Sequence, residues 1–435
     1  MTTSRTRVFS LYAVMFGLFM IVGLFQSWNL SLAILNLCLI SAIMSQGVNI
    51  QWGYAGLFNA GIMGFAALGG LAAVIVSHPP VIEAWQAGST GLLVAGLTLL
   101  ATLLAIRIAC KKITNRRLRT LTVALIVALG LIIIRQTYLP ATEAIEAINP
   151  TVTGFLGGLG LPILLSWLAG GLLAAGAAWC IGRITLGLRS DYLAIATLGI
   201  SEILIAIIKN EDWLTRGVKN VIGLPRPVPL EIELQQSPWF MTLANRLGGD
   251  IAPLSGIFVK LCYAGLFFLV LLLIIMLSER SLNSPWGRMM LAIRDNEDAA
   301  RALGKDVVHR RLQVFILGSM VIGIAGAMLT TLDGQLTPVS YQPMRFTFLI
   351  WVMTIVGGSG NNRGAVLGGF LVWFTWVEAE PAGIWLVDQL TSIMANENPI
   401  RQQLLQNAAH MRHIAMGVIL LVVIRWFPRG LLPGK

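Results

Sequence analysis

Residues 256–311 read GIFVKLCYAGLFFLVLLLIIMLSERSLNSPWGRMMLAIRDNEDAARALGKDVVHRR. The first part, 256–277, is apolar over roughly the 20 residues that a helix needs to cross the hydrocarbon core of a bilayer. The second part, 278–311, mixes bases, acids and apolar residues. The stretch therefore predicts a membrane-spanning helix followed by an amphipathic segment at one face of the membrane.

The composition of the whole chain agrees with a membrane protein. Of the 435 residues, 56% are hydrophobic and 12% are charged, whereas an ordinary soluble domain has about 25% charged residues. The 45 glycines are typical of helices that pack closely in lipid. This composition excludes a disordered chain, a collagen-like chain and a disulfide-stapled secreted module. The four cysteines show no C-x-x-C spacing and are interpreted as small hydrophobic residues.

The same length criterion, applied outward along the chain, predicts about twelve crossings, several of them short enough that the expected count is ten to twelve. The apolar runs lie near 8–25, 29–50, 54–77, 89–109, 120–137, 163–182, 192–209, 256–277, 312–333, 346–357, 365–378 and 413–427. No small-residue cleavage site follows the first run, so a retained span within 1–28 is favoured over a signal peptide. The predicted fold is an all-α polytopic membrane protein in which 1–435 form a single transmembrane domain.

The distribution of charge predicts the orientation. With the N-terminus inside, the inner loops hold 21 of the 31 bases, from Arg5 to Lys435, and six of the 20 acids, which leaves the outer segments net negative. Basic inner loops are the ordinary signature of membrane topology, so both termini are expected in the cytoplasm. The formal charge of +11 is explained in this way, and nucleic-acid binding is not predicted.

Within the inner segment 278–311, the residues predict one amphipathic helix. Ser284 is a good N-cap, Pro285 suits the first helical position and Gly304 suits a C-terminal stop, so about twenty residues can form a helix roughly 30 Å long. One side at helical spacing holds Trp286, Met289, Met290, Ile293 and Ala300, with Leu303 at its margin. Glu297 interrupts this stripe, Arg294 and Arg301 lie at its edge, and Arg288, Asp295 and Asp298 point away. The helix is expected to lie along the inner membrane face or to fill a groove in a partner, and a plain surface helix stays as the alternative.

Glycine-rich segments interrupt the apolar pattern twice. GYAGLFNAG at 53–61 and GGSGNNRG at 357–364, followed by Gly368 and Gly369, lie in the two halves of the chain. Paired interruptions of this kind indicate broken helices around a central substrate path. Close helix packing through small residues is the alternative for most of these glycines. Asn59 is harder to explain by packing, because an apolar span needs a partner for an amide.

Glu202 stands near the middle of the predicted span 192–209. A charge at the membrane centre costs roughly 2.5–3.5 kcal/mol on insertion scales, so an intramembrane acid is a functional candidate. A role in a substrate path or gate and a buried structural hydrogen bond are both open. There is no G-x-x-x-x-G-K-[ST] motif for ATP and no H-E-x-x-H motif. The histidines do not make a predicted metal set, and no catalytic residue is assigned.

Three further segments stand out by length. Residues 210–255, with Pro225, Pro227 and Pro229 spaced for extended chain, and residues 379–412 are predicted to be extracytoplasmic. Each of these two segments either contacts an extracytoplasmic partner or only covers the outer opening of the substrate path. Residues 107–162, with their basic loop and the apolar run 120–137, are interpreted as an inserted loop and an extra span.

Four blocks of this sequence resemble the permeases of branched-chain amino acid ABC importers, of the LivM kind, and their urea- and amide-transporting relatives. The blocks are GYAG at 53–56 with Gly61, RSDYLAIATLG at 189–199 through Glu202, PWGR at 285–288 through AIRDNEDAA at 292–300 with Gly304, and GGSG at 357–360 with Gly364 and the terminal PRGLLP at 428–433. The likeness covers 29–78 and 183–430. The stretch 107–162 is longer than the family core, and NAGI at 59–62 departs from the family's Ser-Leu-Gly-His, which leaves the solute open.

The resemblance implies a transport subunit without a nucleotide site of its own. Its expected partners are a sister permease of the LivH kind, two ATP-binding subunits that hold ATP and Mg, and an extracytoplasmic substrate-binding protein, assembled in the lipid bilayer of the bacterial inner membrane. The third block resembles the cytoplasmic coupling helix that docks into the ATP-binding subunit. No metal or other cofactor is expected in this chain.

Two sets of residues carry these expectations. The substrate-path set is Gly53, Tyr54, Gly56, Asn59, Gly61, Tyr192, Thr197, Gly199, Glu202, Gly357, Gly358 and Gly360. The ATPase-coupling set is Trp286, Arg288, Arg294, Glu297, Asp298, Ala299, Ala300 and Gly304. Amino acids are favoured over urea or short amides as the solute. A stand-alone ion-coupled carrier, and an intramembrane enzyme with Glu202 or Asp191 as its acid, stay as alternatives from other function classes.

Overall fold

The computed structural model describes residues 5–149, 153–392 and 398–434. The helices up to the middle of the chain are α1 (Arg5–Phe25), α2 (Trp28–Val48), α3 (Ile62–Ser77), α4 (Ile82–Lys112), α5 (Arg116–Glu146), α6 (Ile163–Thr185), α7 (Ser190–Asn210), α8 (Asp212–Thr215), α9 (Glu231–Gln236) and α10 (Pro238–Leu247). The later helices are α11 (Ile251–Leu282), α12 (Pro285–Asp295), α13 (Glu297–Ala302), α14 (Val307–Asp333), α15 (Pro343–Gly357), α16 (Asn362–Leu390), α17 (Pro399–Gln406) and α18 (Met411–Trp426). The predicted inner base Lys435, and residues 150–152 and 393–397 of the predicted loop segments, lie outside the described residues.

The all-α polytopic architecture is confirmed. Eight helices in the described ranges are long and apolar enough to cross a membrane, and α3 and α15 are shorter apolar helices beside them. The remaining two predicted runs lie on α16 and α18. The predicted run 54–77 is wrong in its first part, because the regular helix α3 begins only at Ile62.

The centre of the protein is a bundle in which α2, α3 and α14 pack on one another and on α6, α15 and α16. Glycines bring its backbones together. A Cβ atom on Gly69 of α3 would lie 1.9 Å from the carbonyl oxygen of Gly323 on α14, and one on Gly323 would lie 2.5 Å from that of Gly170 on α6. Helices in lipid gain no hydrophobic free energy from association, so small residues that permit close contact are what hold such a bundle together.

Helices α4 and α5 form a separate hairpin beside this bundle. They pack mainly on each other and are mostly exposed along their length. Near the base of the hairpin, Tyr138 donates a hydrogen bond to Glu211, and Trp213 Nε1 donates to the same carboxylate over 2.7 Å. The interpretation of 107–162 as an added loop and span stays a prediction, with α4 itself starting at Ile82.

The two long outer segments are more regular than expected. Residues 223–230 lie outside regular helices and strands, with bends at Pro227 and Val228, and α8, α9 and α10 flank them. Val221–Ile222 (β1) pairs in antiparallel fashion with Gln335–Leu336 (β2). The predicted boundary at 379 is wrong, because α16 continues to Leu390 through Pro381.

The inner segment differs from the single helix of about twenty residues that was predicted. Ser284 caps α12 by accepting the Gly287 amide over 3.3 Å, as expected. The helix ends at Asp295, because Asn296 adopts an extended conformation (φ −155°, ψ 100°) and its side chain caps α13 by accepting the Ala299 amide over 3.0 Å. Asparagine favours N-caps over helix interiors because its side chain competes for backbone groups.

Candidate functional site

The two glycine-rich segments meet in space. A five-residue π-helix, Asn49–Gly53, follows α2, and Gly358–Asn361 connect α15 to α16. A Cβ on Gly53 would lie 2.5 Å from the backbone nitrogen of Gly360. Gly360 itself has a φ of +81°, in the left-handed region that glycine adopts without strain. We call this contact between 53–56 and 358–361 the glycine junction.

The C-terminal PRGLLP segment closes the glycine junction from a third side. The Leu432 amide donates to the Gly357 carbonyl over 2.9 Å, and the Leu431 amide donates to the Val356 carbonyl over 2.9 Å. A Cβ on Gly358, whose φ is +112°, would lie 2.3 Å from the Leu432 carbonyl oxygen. The residues of the fourth resembling block, separated by about 70 positions in the chain, therefore form one packed unit.

Buried amides hold the junction together. The Asn362 side-chain oxygen accepts hydrogen bonds from Gln46 Nε2 over 2.6 Å, from Asn49 Nδ2 over 3.2 Å and from the Tyr54 hydroxyl. The Asn49 side-chain oxygen in turn accepts the Gly360 amide over 2.8 Å. Polar groups away from water must be satisfied internally. None of Gln46, Asn49 and Asn362 was predicted from the sequence, although amides at 46 and 49 in an apolar run share one helix face and indicate a buried polar contact.

Arg294 of α12 connects the inner segment to this junction. Its Nη1 donates to the Gly53 carbonyl over 2.6 Å, and its Nε and Nη2 contact Asp295 Oδ1 over 3.2 Å each. A Cβ on Gly360 would lie 3.1 Å from Nη1, so Arg294 lies against both halves of the junction. A charged donor on a backbone carbonyl makes a strong, directional link. Arg294 therefore links α12 to the π-helix that follows α2 and to the loop that follows α15.

The rest of the inner segment has a buried and an exposed side, as its pattern predicts. On the buried side, Trp286 Nε1 donates to Gln313 Oε1 of α14 over 3.0 Å, and Ala300 is 6% exposed. Glu297, which interrupts the stripe, binds Arg311 of α14 over 2.7 Å and Arg301 over 2.8 Å. The exposed side carries the predicted coupling residues Arg288, Asp298, Ala299 and Gly304. Leu303 is also exposed, at 79%.

A cavity of about 380 Å³ lies between α13 and the loop that joins α6 to α7. Gly56, Arg189 and Arg311 are among its lining residues. Glu297 and Arg311, whose ion pair fastens α13 to α14, also line this cavity.

Asn59 belongs to a second buried polar cluster, next to the glycine junction in the chain. Its Nδ2 donates to Gln51 Oε1 over 2.9 Å, and its Oδ1 accepts the Gly61 amide over 2.8 Å. Gln51 also donates to Ser319 Oγ over 3.0 Å, and Trp351 Nε1 donates to the Asn59 carbonyl over 3.0 Å. Gln51 is thus the hydrogen-bond partner that the Asn59 side chain was expected to need in an apolar region.

One face of α7 packs directly on α3. Thr197 Oγ1 accepts the Ala60 amide over 3.1 Å, and Ser201 Oγ accepts the Gly64 amide over 2.8 Å. A Cβ on Gly61 would lie 2.5 Å from the Thr197 carbonyl oxygen. The structure brings together Gly61 and Thr197, two residues of the predicted substrate-path set, and adds Ser201, which the sequence did not single out.

The opposite face of α7 is exposed and carries Tyr192, Gly199 and Glu202. Glu202 makes no hydrogen bond or ion pair with any residue that the structure describes. The interpretation of Glu202 as a buried structural hydrogen bond within this chain is therefore wrong, and its role in a path or gate stays a prediction. Gly53, Tyr54, Gly358 and Gly360 lie in the glycine junction, and Gly357 lies next to it, where the glycines make close backbone contacts. Their role in a substrate path stays a prediction.

Comparison with known proteins gives the following matches. Residues 144–424 match the family described as branched-chain amino acid transport system / permease component. The chain is 26% identical over 270 residues to the high-affinity branched-chain amino acid transport system permease protein LivM of Salmonella typhimurium, covering 60% of this chain and 56% of that protein. It is 25% identical over 302 residues to the probable LivM of Methanocaldococcus jannaschii, covering 68% and 74%. It is also 26% identical over 278 residues to the xylose transport system permease protein XylH of Escherichia coli, covering 63% and 54%.

The matches cover only part of this chain and only part of its relatives. The chain spans just over half the length of the Salmonella and Escherichia proteins. The early glycine-rich block at 53–61 and the helix α4 lie outside the residues that match the family. No solved structure gives a significant match. The relatives include permeases named for an amino acid system and for a sugar system, so family membership alone leaves the solute open.

Proposed function

Because the chain belongs to the family of branched-chain amino acid transport system permease components, we propose that it is the membrane subunit of an ABC importer. In this role it forms half of the translocation path for a small polar nutrient, with branched-chain or other amino acids as the favoured solutes. A sister permease of the LivH kind forms the other half. Two ATP-binding subunits, which hold ATP and Mg, drive it from inside, and a binding protein delivers the solute from outside.

The observation that carries this proposal is the link from α12 to the glycine junction. The exposed side of α12 and α13 offers a docking face, with Asp298 96% exposed along its side chain. The buried side is fastened to the ends of the bundle by Arg294 on Gly53 and by Glu297 on Arg311. Force applied at the docking face therefore reaches the membrane helices through two short, charged contacts. Rigid-body movement of packed helices is an established way to open a path alternately to each side.

The exposed face of α7 is consistent with contact to a second membrane subunit. Glu202 lies unpaired on a membrane helix, and a carboxylate facing lipid is costly. Gly199 on the same face has no atom within 4 Å of its would-be Cβ, which leaves a groove where another helix can approach closely. We assign this face to the boundary with the sister permease, where Tyr192 and Glu202 border the path.

The first test is capture of the tagged chain from gently solubilised membranes of its native host, followed by mass spectrometry and an ATPase assay. The expected result is co-purification of a second permease and two nucleotide-binding subunits with ATPase activity. Repeated recovery of the chain alone, with solute uptake driven by an ion gradient, would contradict the proposal and favour a stand-alone carrier.

The docking face is tested by Asp298→Arg and Gly304→Glu in the reconstituted importer. Both are expected to insert normally and to uncouple ATP hydrolysis from uptake, since the exposed side of α13 is altered. Lys112→Glu, which reverses a charge on a different loop on the predicted inner side, is the matched control and should behave as wild type. Wild-type coupled uptake in both docking-face variants would refute the assignment.

A further inference from the structure

The cavity of about 380 Å³ beside α13 has a positively charged lining. Arg189 contributes from the loop that joins α6 to α7, Arg301 from α13 and Arg311 from α14. Glu297 is the single acid among the described residues that line the cavity, so this lining has a formal net charge of +2. Small-molecule sites in proteins typically have volumes of about 300–1,000 Å³, and this cavity lies within that range.

Glu297 leaves part of this charge without a partner. Its two carboxylate oxygens bind Arg301 Nη2 over 2.8 Å and Arg311 Nη1 over 2.7 Å. Arg311 Nε, however, is buried and has no hydrogen-bond partner in the described part of the chain. A buried donor without an acceptor costs free energy, so this side chain favours a ligand that supplies one.

Arg189 has its whole guanidinium group available for the same ligand. The side chain is exposed and forms no hydrogen bond or ion pair with any residue that the structure describes. No side chain caps the N-terminus of α7, and Ser190, the first residue of that helix, also lines the cavity. The N-terminus of a helix has a partial positive charge, which adds to the attraction for an anion. Asp191, in the same first turn, is not among the lining residues.

The rest of the wall includes apolar side chains. Leu57, Leu186 and Leu193 line the cavity together with the arginines. A simple inorganic ion would contact only the charged part of such a wall. An organic anion contacts both parts, because its charged group reaches the guanidinium groups while its carbon atoms lie against the leucines.

We propose that this cavity binds a phosphomonoester on the predicted inner side of the protein. A phosphomonoester has about two negative charges near pH 7 and three acceptor oxygens, which match a lining of net charge +2. The guanidinium groups of Arg189 and Arg311 bind these oxygens, since planar guanidinium donors fit phosphate geometry. A zwitterion or a neutral sugar leaves this charge uncompensated.

Two sources share this chemistry. One is the headgroup of phosphatidic acid in the inner leaflet, and the other is a soluble phosphorylated metabolite. The site goes beyond the proposed importer function, because its ligand is held at the inner face and is not the transported solute.

The test measures binding to the full chain in nanodiscs. Equilibrium dialysis with radiolabelled sn-glycerol 3-phosphate, in nanodiscs of phosphatidylcholine, tests the soluble source. Native mass spectrometry of the lipids retained from nanodiscs that also contain phosphatidic acid and phosphatidylglycerol tests the lipid source. Phosphatidylglycerol is the comparison lipid, because its phosphodiester has only a single negative charge.

Three variants test the assignment of residues. Arg189→Gln is expected to weaken binding roughly threefold to fivefold, the size expected for one charged contact at an exposed position. Glu297→Gln is expected to strengthen binding roughly twofold or more, because it removes the acid that shares Arg301 and Arg311 with the ligand. Lys305→Gln removes an exposed base of the same inner segment that is not among the lining residues, and it should bind as wild type.

Saturable binding of glycerol 3-phosphate with this order of variants supports the site and identifies a soluble ligand. Preferential retention of phosphatidic acid with the same order supports the site and identifies a lipid. The proposal is contradicted if neither ligand binds, if phosphatidylglycerol is retained as well as phosphatidic acid, if Lys305→Gln weakens binding as much as Arg189→Gln, or if Glu297→Gln weakens it. Wild-type thermal unfolding of Arg189→Gln shows that its lost binding is not lost folding. The assay uses this chain without ATP-binding subunits, so its failure leaves the importer proposal standing.

Discussion

The helix α2 and the hairpin of α4 and α5 are all apolar enough to cross a membrane, yet they lie in opposite environments. In its most apolar stretch, the helical segment Trp28–Gly53 is 78% buried inside the protein, while α4 and α5 are 11% and 6% buried. The mean hydropathy runs the other way, at 1.7 for Trp28–Gly53 and at 2.3 and 2.1 for the hairpin. Helices that face lipid need apolar residues all round, whereas buried ones can hold amides and glycines that contact other helices. The lower mean hydropathy of Trp28–Gly53 therefore reflects the polar and small residues with which this segment forms part of the glycine junction.

The largest expected difference between the two regions comes from glycine substitution. Gly69→Val places a Cβ 1.9 Å from the Gly323 carbonyl oxygen, whereas Gly96→Val in α4 meets no atom within 4 Å. Overpacking costs typically 1–3 kcal/mol, and a backbone clash that side chains cannot relieve lies at or above that range. Gly69→Val should abolish recovery of monodisperse protein in size-exclusion chromatography, and Gly96→Val should leave it unchanged. Equal recovery of the two variants would mean that the bundle is not held by these backbone contacts.

A smaller but still large effect is expected at the buried amides. Asn362→Leu removes the acceptor of Gln46, Asn49 and Tyr54, and each buried group left unsatisfied costs about 1–3 kcal/mol. The thermal unfolding midpoint in detergent should therefore fall clearly. Asn245→Leu, at an exposed position on α10, is the matched control and should shift it little. A drop of the same size in both variants would speak against the network as a stabilising element.

Arg294→Ala tests the contact between α12 and the glycine junction. Loss of the bond to the Gly53 carbonyl should lower ATP-driven uptake roughly tenfold, as expected for a lost charged hydrogen bond, while ATPase activity continues. Arg280→Ala, an exposed arginine at the end of α11, is the control. If uptake and ATPase activity fall together, Arg294 supports assembly and does not transmit movement.

The smallest effect is expected at the hairpin. Tyr138→Phe removes the hydrogen bond that the hydroxyl donates to Glu211 and the one that it accepts from Trp213 Nε1 over 2.8 Å. Trp213 Nε1 keeps Glu211 as an acceptor, so the expected loss is small, about 0.5–1.5 kcal/mol for each hydrogen bond. Hydrogen exchange measured by mass spectrometry should become faster near the end of α5 and in 211–215, with no change in peptides from α2 and α14. Faster exchange in the core peptides would show that the hairpin supports the bundle, contrary to its exposed packing.

Much of the fold follows from local pattern. The apolar runs predicted the helices, Ser284 and Pro285 predicted the start of α12, and the stripe of Trp286, Met290 and Ile293 predicted its buried side. The end of that helix was missed because Asn296 acts as a cap, and a polar residue on an exposed helix face looks the same in sequence as a cap. The extension of α16 to Leu390 was missed because the charged and polar residues after 378 resemble an outer loop.

The site itself was only partly predictable. The glycine-rich segments, Asn59 and Arg294 were identified from the sequence, but their pairing was not, since Gly53 and Gly360 are some 300 residues apart and no periodicity connects them. Asn362 looked like one residue of a glycine-rich linker, and its role as the shared acceptor of three donors exists only in the packed bundle.

The sequence by itself determined that the chain crosses a membrane many times, how its charged loops are distributed, and that it carries an amphipathic segment between two spans. These properties depend on residue composition and short-range spacing, which act before any tertiary contact forms. The tertiary structure alone decided which apolar helices are buried, that the two glycine segments touch, and that Glu202 faces outward while Thr197 faces α3. Those outcomes depend on which backbones can approach one another and which polar groups find partners across the bundle, and both are properties of distant residues brought together.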